Sequence, residues 1–479
     1  MSISIRIRRL AGLISTAAIL LFIYSCATKK ATVWKNSSEP WAEMEKLRKK
    51  IVAPEFADRD FLITSYGAVG DGKTKNTAAF KKAIEACTQA GGGRVVVPSG
   101  TFLTGAIHLK SNVNLHMVDS AKILFSRDPN DYLPLVFSRW EGMELMNYSP
   151  LIYANGQKNI AITGNGIIDG NADNNNWWNW NGSATYGWKA GMPNQRAARA
   201  ALHDLNHKQT DPEARIFGPG HYLRPNLIQT YNCKNVLISD VKVLNSPMWN
   251  VNPILCENVT IENVKIITHG PNNDGVDPES CKNVLIRNCY FDTGDDCIAI
   301  KSGRDEDGRR IARPAENHII ENCIMKEGHG GVVIGSEISG GARNIYAINN
   351  SMDSPELDRA LRFKTSSSRG GIIENVFMKD TKVGTYKDAA VTFNMFYEVP
   401  GKHLPTIRNV WVENLDVEKG GEYGLFIRAY KDSPVQNLRM INWNIRGVET
   451  PIKIDYVKNL QFENVHINGK LWAVPDSLK

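Results

Sequence analysis

The sequence predicts an all-β fold, a single-stranded right-handed parallel β-helix with a helix capping its N-terminal end. The main observation is a short repeat in which Asn precedes alternating aliphatic residues, as in Asn235-Val-Leu-Ile and Asn283-Val-Leu-Ile. From Asn235 to Asn459 the copies recur every 22 to 34 residues, without long helical stretches between them. Alternation is the period of a strand with one buried face. Strands repeated at such intervals indicate a solenoid in which each coil pairs with the next.

The repeated Asn fits a turn position beside each strand. Asparagine tolerates the left-handed backbone conformation and can hydrogen-bond to the same residue one coil away. The other copies begin at Asn112, Asn159, Asn258, Asn317, Asn344, Asn375, Asn409, Asn437 and Asn459. The variable intervals between copies place insertions in loops on the outside of the solenoid.

An open β-helix exposes unpaired strand edges and therefore needs a cap. From Asn76, which we interpret as an N-cap, residues 77–90 place apolar side chains on one helical face and stop at Gly91. A strand is expected directly afterwards, over residues 94–97. This amphipathic helix is the predicted lid.

The first 25 residues predict a targeting segment. Three arginines precede an apolar run from Leu10 to Tyr24 that is too short to span a bilayer comfortably. The run ends in Ser25-Cys26, which resembles a bacterial lipobox, so we expect a lipoprotein signal over residues 1–25 and lipidation of Cys26. An ordinary secretory signal is the alternative. Either signal predicts export, to the periplasm or outer membrane of a bacterium, with residues 26–60 as a tether that carries a short helix from Glu39 to Ile51.

Composition excludes several classes of protein. With 42% hydrophobic and 22% charged residues, the chain is neither disordered throughout nor a polytopic membrane protein. The formal net charge is +7, and it falls to about +4 without the three N-terminal arginines, which does not predict a nucleic-acid partner. The seven cysteines after Cys26 include no CxxC pair, so no zinc site is predicted. Cys233, Cys256 and Cys281 recur in phase with the repeat, which indicates small buried side chains rather than disulfides.

Residues 171–224 interrupt the repeat. Residues 171–188 hold four of the eleven tryptophans among asparagines, which is typical of sugar stacking but also of a loop anchored by buried Trp. Residues 189–224 are polar and predict a helix. We therefore interpret residues 61–470 as one catalytic solenoid with an insertion at 171–224, followed by a tail over residues 471–479.

Chemistry is expected where four polar clusters fall on neighbouring coils. They are Asn272-Asn273-Asp274, Gly294-Asp295-Asp296, Gly328-His329-Gly330 and Arg362-Phe363-Lys364. Asp274 and Asp295 are 21 residues apart, about one coil, so they should lie on adjacent rungs roughly 4.8 Å apart. His329 and Arg362 follow at intervals of 34 and 33 residues. One face of the solenoid should thus gather three carboxylates, an imidazole and two cations.

Three carboxylates that close cannot all ionise, so at least one should have a raised pKa and hold a proton near neutral pH. Glycoside hydrolysis uses a protonated carboxylic acid beside an ionised carboxylate. Arg362 and Lys364 then need an anionic partner, which the carboxylate of a uronic acid supplies. These residues predict a hydrolase that acts on an acidic polysaccharide, with no metal and no cofactor.

The four clusters, in this order on a β-helix, resemble the polygalacturonases of glycoside hydrolase family 28, whose fold is the pectin lyase-like solenoid. The stretches from Tyr66 to Gly72 and from Arg224 to Trp249 are also similar to that family, so the likeness covers roughly residues 61 to 470. The resemblance implies hydrolysis of α-1,4-galacturonosidic bonds in pectin or polygalacturonate by an inverting mechanism. We expect a monomer whose partner is this acidic plant polysaccharide.

The resemblance also implies roles for the matching positions. Asp295 is the implied general acid, Asp274 and Asp296 are the implied pair that activates water, and His329 orients or tunes the acid. The implied substrate-binding residues are Arg362, Lys364, Asn272 and Tyr397. Inversion needs carboxylates roughly 6.5 to 9.5 Å apart, against about 5 to 5.5 Å for retention, and adjacent rungs permit either distance.

Several alternatives stay open at this point. The insertion at 171–224 could block one end of an open groove, which favours exo action over endo action. A rhamnogalacturonan hydrolase, a polysaccharide lyase and a non-catalytic surface solenoid that binds glycans are the competing functions. The acid set with His329 favours hydrolysis over a lyase, which needs a basic residue in the cleft. Asn273, where many relatives have Thr, and Asn250, where many have His, leave the sugar preference open.

Overall fold

The computed structural model describes residues 38–474. Its strands form three parallel stacks that wind into a solenoid, so the prediction of an all-β parallel β-helix is confirmed. Each coil adds one strand to each stack. Lys234–Ser239, for example, pairs in parallel with Glu257–Glu262, which in turn pairs with Lys282–Arg287.

The first stack consists of the strands that carry the repeated Asn. They are Asp60–Leu62, Gly93–Val97, Val113–Met117, Lys158–Gly164, Lys234–Ser239, Glu257–Glu262, Lys282–Arg287, Ala315–Glu321, Ala342–Ile348, Ile372–Thr385, Thr406–Lys419, Val435–Ile445 and Val457–Ile467. The second stack consists of the strand that follows the first-stack strand within each coil. From Ile372 onward the two strands are continuous, so the second stack merges with the first. Its separate strands are Asp71–Lys75, Gly100–Thr104, Ala121–Phe125, Ile167–Asp169, Lys242–Leu244, Lys265–Thr268, Tyr290–Thr293, Ile324–Met325 and Ser351–Met352.

The third stack carries the candidate site. Its strands are Ile107–His108, Ile152–Asn155, Ile228–Tyr231, Val251–Ile254, Ile298–Ile300, Val332–Gly335, Arg359–Lys364, Ala389–Asn394, Tyr423–Arg428 and Thr450–Asp455. Isolated parallel bridges at Val276 and Glu279 join the two halves of this stack. The third stack is therefore continuous along the solenoid.

The remaining elements lie outside the coils. An antiparallel hairpin joins Val136–Trp140 to Met143–Asn147, and Lys470–Trp472 pairs antiparallel with the last long strand. The α-helices are α1 (Glu39–Arg48), α2 (Thr77–Gln89), α3 (Arg196–His207) and α4 (Asp305–Ile311), and the short 3-10 helices are Ile63–Tyr66, Pro129–Tyr132, Trp178–Asn181, Ala184–Tyr186 and Pro212–Ala214. Within residues 38–474, no helix is both long and apolar enough to cross a membrane.

The repeated asparagines form the ladder that the sequence predicts. Ten hydrogen bonds connect consecutive copies, in each of which the side-chain Nδ2 donates to the Oδ1 of the Asn one coil earlier. Every copy has a positive φ, as at Asn283 (60°) and Asn409 (58°). One residue type therefore both adopts the left-handed turn and provides the amide that bonds to the neighbouring coil.

The interior of the solenoid is filled by aliphatic, aromatic and cysteine side chains. All seven described cysteines are buried and free, which confirms that the cysteines in phase with the repeat are packing residues. Phe363 and Phe393 stack on adjacent coils with ring centroids 4.5 Å apart. Such inward positions alternate with the outward positions that form the site.

Helix α2 caps the first coil and buries Phe80, Ala83 and Ile84, as predicted. Asn76 is the N-cap residue, as predicted, and its carbonyl accepts from the backbone N–H of Phe80 at 3.0 Å, but its side chain forms no cap hydrogen bond. Its Oδ1 accepts from the backbone N–H of Val69, and its Nδ2 donates to nearby carbonyl groups. The Asn76 side chain thus fixes the preceding loop rather than the helix end.

Helix α1 ends at Arg48, three residues before the predicted end. It packs against the first stack, where Met44 and Leu47 join a buried cluster with Ile319 and Trp411. Arg48 also forms a salt bridge with Glu321. Residues 39–51 therefore dock on a different stack from the one that carries the candidate site. Cys26 lies outside the described residues.

Candidate functional site

The candidate site lies on the outward face of the third stack, and strand alternation creates it. In Arg359–Lys364, Leu361 and Phe363 point into the core, whereas Arg362 and Lys364 point outward. The strand register places Lys301, Gly335 and Lys364 in one row across successive coils. The outward side chains of these strands are polar and the inward ones are apolar, so the third stack has a polar outer face over an apolar core.

Three aspartates meet at the start of the third-stack rungs. One carboxylate oxygen from each of Asp274, Asp295 and Asp296 lies within 4.8 Å of the other two. The backbone N–H of Gly275 donates to the carbonyl of Asp296 at 2.9 Å, so the two aspartate turns are on adjacent coils as the spacing predicts. A Cβ atom at Gly294 would lie 2.7 Å from the carbonyl oxygen of Gly270, which explains the glycine before Asp295.

His329 is held against Asp295. The Nδ1 atom of His329 lies 3.0 Å from Oδ1 of Asp295, and the backbone N–H of His329 donates to the Asp295 carbonyl at 3.2 Å. The hydrogen bond to Asp295 raises the pKa of His329 to about 9. Burial alone would raise the pKa of Asp295, but the hydrogen bond and charge of His329 lower it below its usual range. The two residues therefore form an ion pair at neutral pH.

Arg362 and Lys364 converge on the buried carboxylate of Asp296. Nη1 of Arg362 lies 3.3 Å from Oδ1, and Lys364 forms a salt bridge with Oδ2. Tyr397, which is exposed, covers both cations from the next coil: its ring centroid is 5.4 Å from the Arg362 guanidinium carbon and 5.3 Å from Lys364 Nζ. The structure thus brings the two predicted cations and the predicted tyrosine together beside the aspartates.

Lys301 is part of the same cluster, and the sequence reasoning missed it. Its buried Nζ lies 3.5 Å from Asp274, 3.4 Å from Asp277 and 3.1 Å from Glu337, and 4.5 Å from the centroid of the Trp249 ring. Burial alone would lower the pKa of Lys301, but its three carboxylate neighbours raise it. Aligning residues 276–279 with residues 298–301 and taking every second residue as outward-facing would have identified Lys301.

Asp274 carries the raised pKa that the crowding of carboxylates predicts. Burial is the largest cause, the charge of Asp295 adds to it, and Lys301 offsets part of it, so that the pKa is about 7. Burial and the neighbouring Asp274 also raise the pKa of Asp277. The proton of the free enzyme is therefore on the Asp274 side of the cluster, whereas the resemblance assigns the donating role to Asp295.

Residues 171–224 form one wall at the Asn272 end of the groove. The buried Arg224 guanidinium donates to the Oδ1 of Asn272 at 2.7 Å and to the carbonyl groups of Pro247 and Pro271. Arg224 also donates to Gln195, one residue before α3. Asn272 is therefore fixed by the insertion. Asn273, in contrast, is buried and bonded only to neighbouring backbone and Thr268, so it has a packing role.

A polar cavity lies between the insertion and Asn272. Its volume is about 240 Å³, and it is lined by Glu141, Asn181, Gln195, Arg196, Arg199 and Asn272. The solenoid holds two tryptophans of the insertion: Trp177 is fully buried in its core, and Trp178 donates to the carbonyl of Ser246 at 2.8 Å. These two rings anchor the loop, which favours the anchoring interpretation over sugar stacking for them.

Comparisons with known proteins were made against families, curated sequences and solved structures. The family model described as glycosyl hydrolases family 28 matches residues 219–461, and a model described as rhamnogalacturonase A/epimerase, pectate lyase-like, matches residues 61–116. An exopolygalacturonase from Thermotoga maritima aligns with a TM-score of 0.87 and 45% identity, covering 90% of this chain and 96% of that one.

Two curated relatives are similar over most of the chain. A probable polygalacturonase from Vitis vinifera is 31% identical over 342 residues, which are 68% of this chain and 61% of the relative. An exo-poly-α-D-galacturonosidase from Dickeya chrysanthemi is 29% identical over 437 residues, 84% of this chain and 70% of the relative. The chain thus spans less than two thirds of the grape relative's length.

Proposed function

Because the chain belongs to family 28 of the glycosyl hydrolases, we propose that it hydrolyses α-1,4 bonds of polygalacturonate from one end of the polymer. The observation that carries this proposal is the meeting of three aspartates within 4.8 Å of one another beside Arg362 and Lys364. The acids supply bond cleavage, and the two cations select a uronic acid over a neutral sugar. The names of the Thermotoga and Dickeya relatives support the exo mode and the substrate.

The proposed reaction begins with a proton shift inside the cluster. The proton held by Asp274 in the free enzyme moves to Asp295 when substrate displaces water from the groove, because these two carboxylates are close enough for the charge of Asp295 to raise the pKa of Asp274. Asp295 then donates it to the glycosidic oxygen as the bond to the anomeric carbon breaks. His329 remains a cation and fixes the orientation of Asp295 through the 3.0 Å contact.

Asp274 and Asp296 act on the water molecule. Once both are ionised, they accept its proton as its oxygen attacks the anomeric carbon, and the new hemiacetal carries inverted configuration. Lys301 and Lys364 stabilise these two carboxylates as anions. The proton gained from water replaces the one that Asp295 donated, so the cluster returns to its initial charge.

The exo mode follows from the wall at the Asn272 end. Arg224 and Asn272 close the groove there, and the cavity of about 240 Å³ is a site for one terminal galacturonate, with Asn181, Gln195 and Arg196 at its border. Arg362, Lys364 and Tyr397 hold the sugar on the other side of the scissile bond. A cavity closed at one end accepts a chain terminus and excludes the middle of a polymer.

Incubation with polygalacturonate tests the proposal. Chromatography should show galacturonate as the sole early product, and Asp295→Asn should reduce its release by at least about 10³-fold. A mixture of larger oligomers would contradict exo action, and an ultraviolet-absorbing unsaturated product would indicate a lyase. Turnover of rhamnogalacturonan but not of polygalacturonate would favour the rhamnogalacturonan hydrolase, and binding without turnover would favour the glycan-binding solenoid.

We also propose export through the signal at residues 1–25, with Cys26 as the lipidated first residue, a tether over residues 26–60 and a monomeric solenoid over residues 61–470. The basic start, the apolar run and the Ser25-Cys26 ending support the lipoprotein signal. Mass spectrometry of the mature N-terminus should find a lipid on Cys26, and Cys26→Ala should release the protein from membranes. An N-terminus at another residue would contradict this. Light scattering should give the molar mass of a monomer.

A further inference from the structure

The third stack continues past the candidate site for three more coils. Under the proposed function, one terminal sugar fills the closed end near Asn272, so the rest of the polymer must leave toward the later coils. The strands on that path are Ala389–Asn394, Tyr423–Arg428 and Thr450–Asp455. The side chains that these strands point outward therefore lie beneath the departing part of the chain.

The strand register identifies those side chains. One outward row runs from Lys364 through Asn394 to Arg428, and the neighbouring row runs from Arg362 through Thr392 and Phe426 to Lys453. Arg428 and Lys453 are both exposed. Because coils are spaced by roughly 4.8 Å, Arg428 lies about 10 Å beyond Lys364 along the axis. A sugar unit has about the length of one coil spacing, so this separation corresponds to about two sugars.

Aromatic rings hold both cations in place. The guanidinium carbon of Arg428 lies 4.8 Å from the centroid of Phe396, whose ring packs on Tyr430 at 4.2 Å. Nζ of Lys453 lies 5.6 Å from the centroids of Tyr423 and Phe426. A cation over a ring is restrained without losing its charge. Rings beside it offer faces for the C–H groups of a pyranose.

The two cations differ from the other basic residues of the groove. Within residues 38–474, Arg428 and Lys453 form no salt bridge, whereas Arg304, Arg359 and Arg369 are each paired with carboxylates. The carboxylates nearest in register are those of Asp455, opposite Arg428, and Glu422, which bonds to Tyr423. Exposed cations of this kind, which are oriented by aromatic rings and not paired with a carboxylate, are suited to binding an external polyanion.

We propose that Phe396, Arg428, Tyr430 and Lys453, here called the distal strip, form a binding site for the galacturonate units that follow the two sugars at the scissile bond. This inference rests on the proposed function for the direction of the polymer. The strip holds the part of the polymer that leaves after cleavage, so it increases the affinity for long substrates and has no contact with the shortest one. Its ligand is an α-1,4-linked oligogalacturonate of four or more units.

Calorimetry in the inactive Asp295→Asn background tests the strip without turnover. We expect the double substitution Arg428→Ala with Lys453→Ala to raise the Kd of hexagalacturonate about tenfold and to leave that of digalacturonate unchanged. Arg439→Ala is the matched control, because it removes a cation that lies 4.6 Å from the Trp411 ring on another stack. It should change neither Kd.

Two outcomes would overturn the distal strip. One is an unchanged Kd of hexagalacturonate in the double variant, and the other is an equal loss for hexagalacturonate and digalacturonate, which would indicate a structural role. The hydrolysis assay is read separately: a wild-type enzyme that releases no galacturonate counts against the proposed function, while the binding comparison still decides the strip. With hydrolysis intact, the double variant should raise KM on the polymer at constant kcat.

Discussion

Lys301 Nζ lies 3.5 Å from Oδ2 of Asp274, with both side chains buried, and the same ammonium also contacts Asp277 and Glu337. One cation thus neutralises part of three carboxylates under the groove. Lys364, which lies two coils further along the solenoid, forms a salt bridge with Asp296 and neutralises part of its charge. Acidic and basic side chains therefore alternate on the reactive face, and each aspartate lies beside a cation.

Lys301→Met should destabilise the fold and change its pH dependence. The variant keeps Asp274, Asp277 and Glu337 buried without their shared cation, which should lower the free energy of unfolding by about 3–5 kcal/mol at neutral pH. Carboxylates whose pKa values are raised in the folded state bind protons on folding, so stability should fall as pH rises and the loss should be smaller at pH 5 than at pH 8. Denaturant unfolding at both pH values measures this.

Lys458→Met is the control for that experiment. Lys458 is exposed on the last long strand and forms no salt bridge among the described residues. It should cost less than about 0.5 kcal/mol at either pH. Equal effects of the two substitutions would contradict the role of Lys301.

Activity should fall as pH rises through about 7. Asp274 has its pKa raised to about 7 by burial and by Asp295, so the cluster holds its extra proton below that pH and loses it above. Since Asp295 needs this proton for donation, kcat/KM on polygalacturonate should decline about tenfold per pH unit beyond the cluster's pKa. The pH profile of initial rates checks it.

The pKa of His329 provides a comparison with that of Asp274 in the pH profile. This pKa is raised to about 9, so His329 stays charged through the range in which Asp274 titrates. An alkaline limb that begins only near pH 9 would show that the imidazolium, and not the aspartate cluster, supplies the proton.

Arg362→Gln should weaken the preference for free acids over methyl esters. The guanidinium lies beside Asp296 and the Tyr397 ring, where it can also bind a substrate carboxylate. Losing a charge-assisted hydrogen bond should reduce kcat/KM on oligogalacturonate about 10- to 100-fold. The methyl-esterified oligomer has no such charge, so its kcat/KM should change much less. Equal losses on both substrates would contradict carboxylate recognition.

The fold and the composition of the site were predictable for one physical reason. The Asn repeat defines the coil length, so Asp274, Asp295, His329 and Arg362 could be assigned to neighbouring rungs before any coordinate was known. Counting coils places residues along the axis, because each coil advances by one strand spacing. The structure joins seven of the eight predicted residues by direct contacts, and the eighth, Asn272, lies at the neighbouring wall where Arg224 holds it.

The rest could not be read from spacing, since it depends on contacts between distant segments. Lys301 matters because it is buried among Asp274, Asp277 and Glu337, and burial is not visible in a charge pattern. Arg224 reaches Asn272 from the end of the insertion. The pKa values are likewise a balance of burial against neighbouring charges, which raises those of Asp274 and Asp277 and lowers that of Asp295.

The Asn ladder should contribute to stability through both its hydrogen bonds and its backbone conformation. Asn283 has φ 60°, donates to Asn258 and accepts from Asn317. Asn283→Ala loses these bonds and replaces Asn, which tolerates the left-handed conformation, by a residue that disfavours it, which should cost about 2–3 kcal/mol. Asn283→Gly loses the bonds but tolerates the conformation, so it should cost about 1 kcal/mol less. A glycine variant no more stable than the alanine variant would contradict the backbone argument.

The stereochemistry of the product separates the two possible uses of the aspartates. The span of 4.8 Å joins the nearest oxygens and not the carboxyl carbons, so it does not decide between the separations typical of inversion and retention. Under the proposed mechanism, Asp274 and Asp296 activate water and no covalent intermediate forms, so the first galacturonate released from an α-linked chain should be the β-anomer. Proton NMR within the first minutes of reaction, before mutarotation, measures the anomeric ratio. Release of the α-anomer would require one of these aspartates to attack the sugar directly, and it would assign Lys301 and Lys364 to the activation of a nucleophile instead of a base.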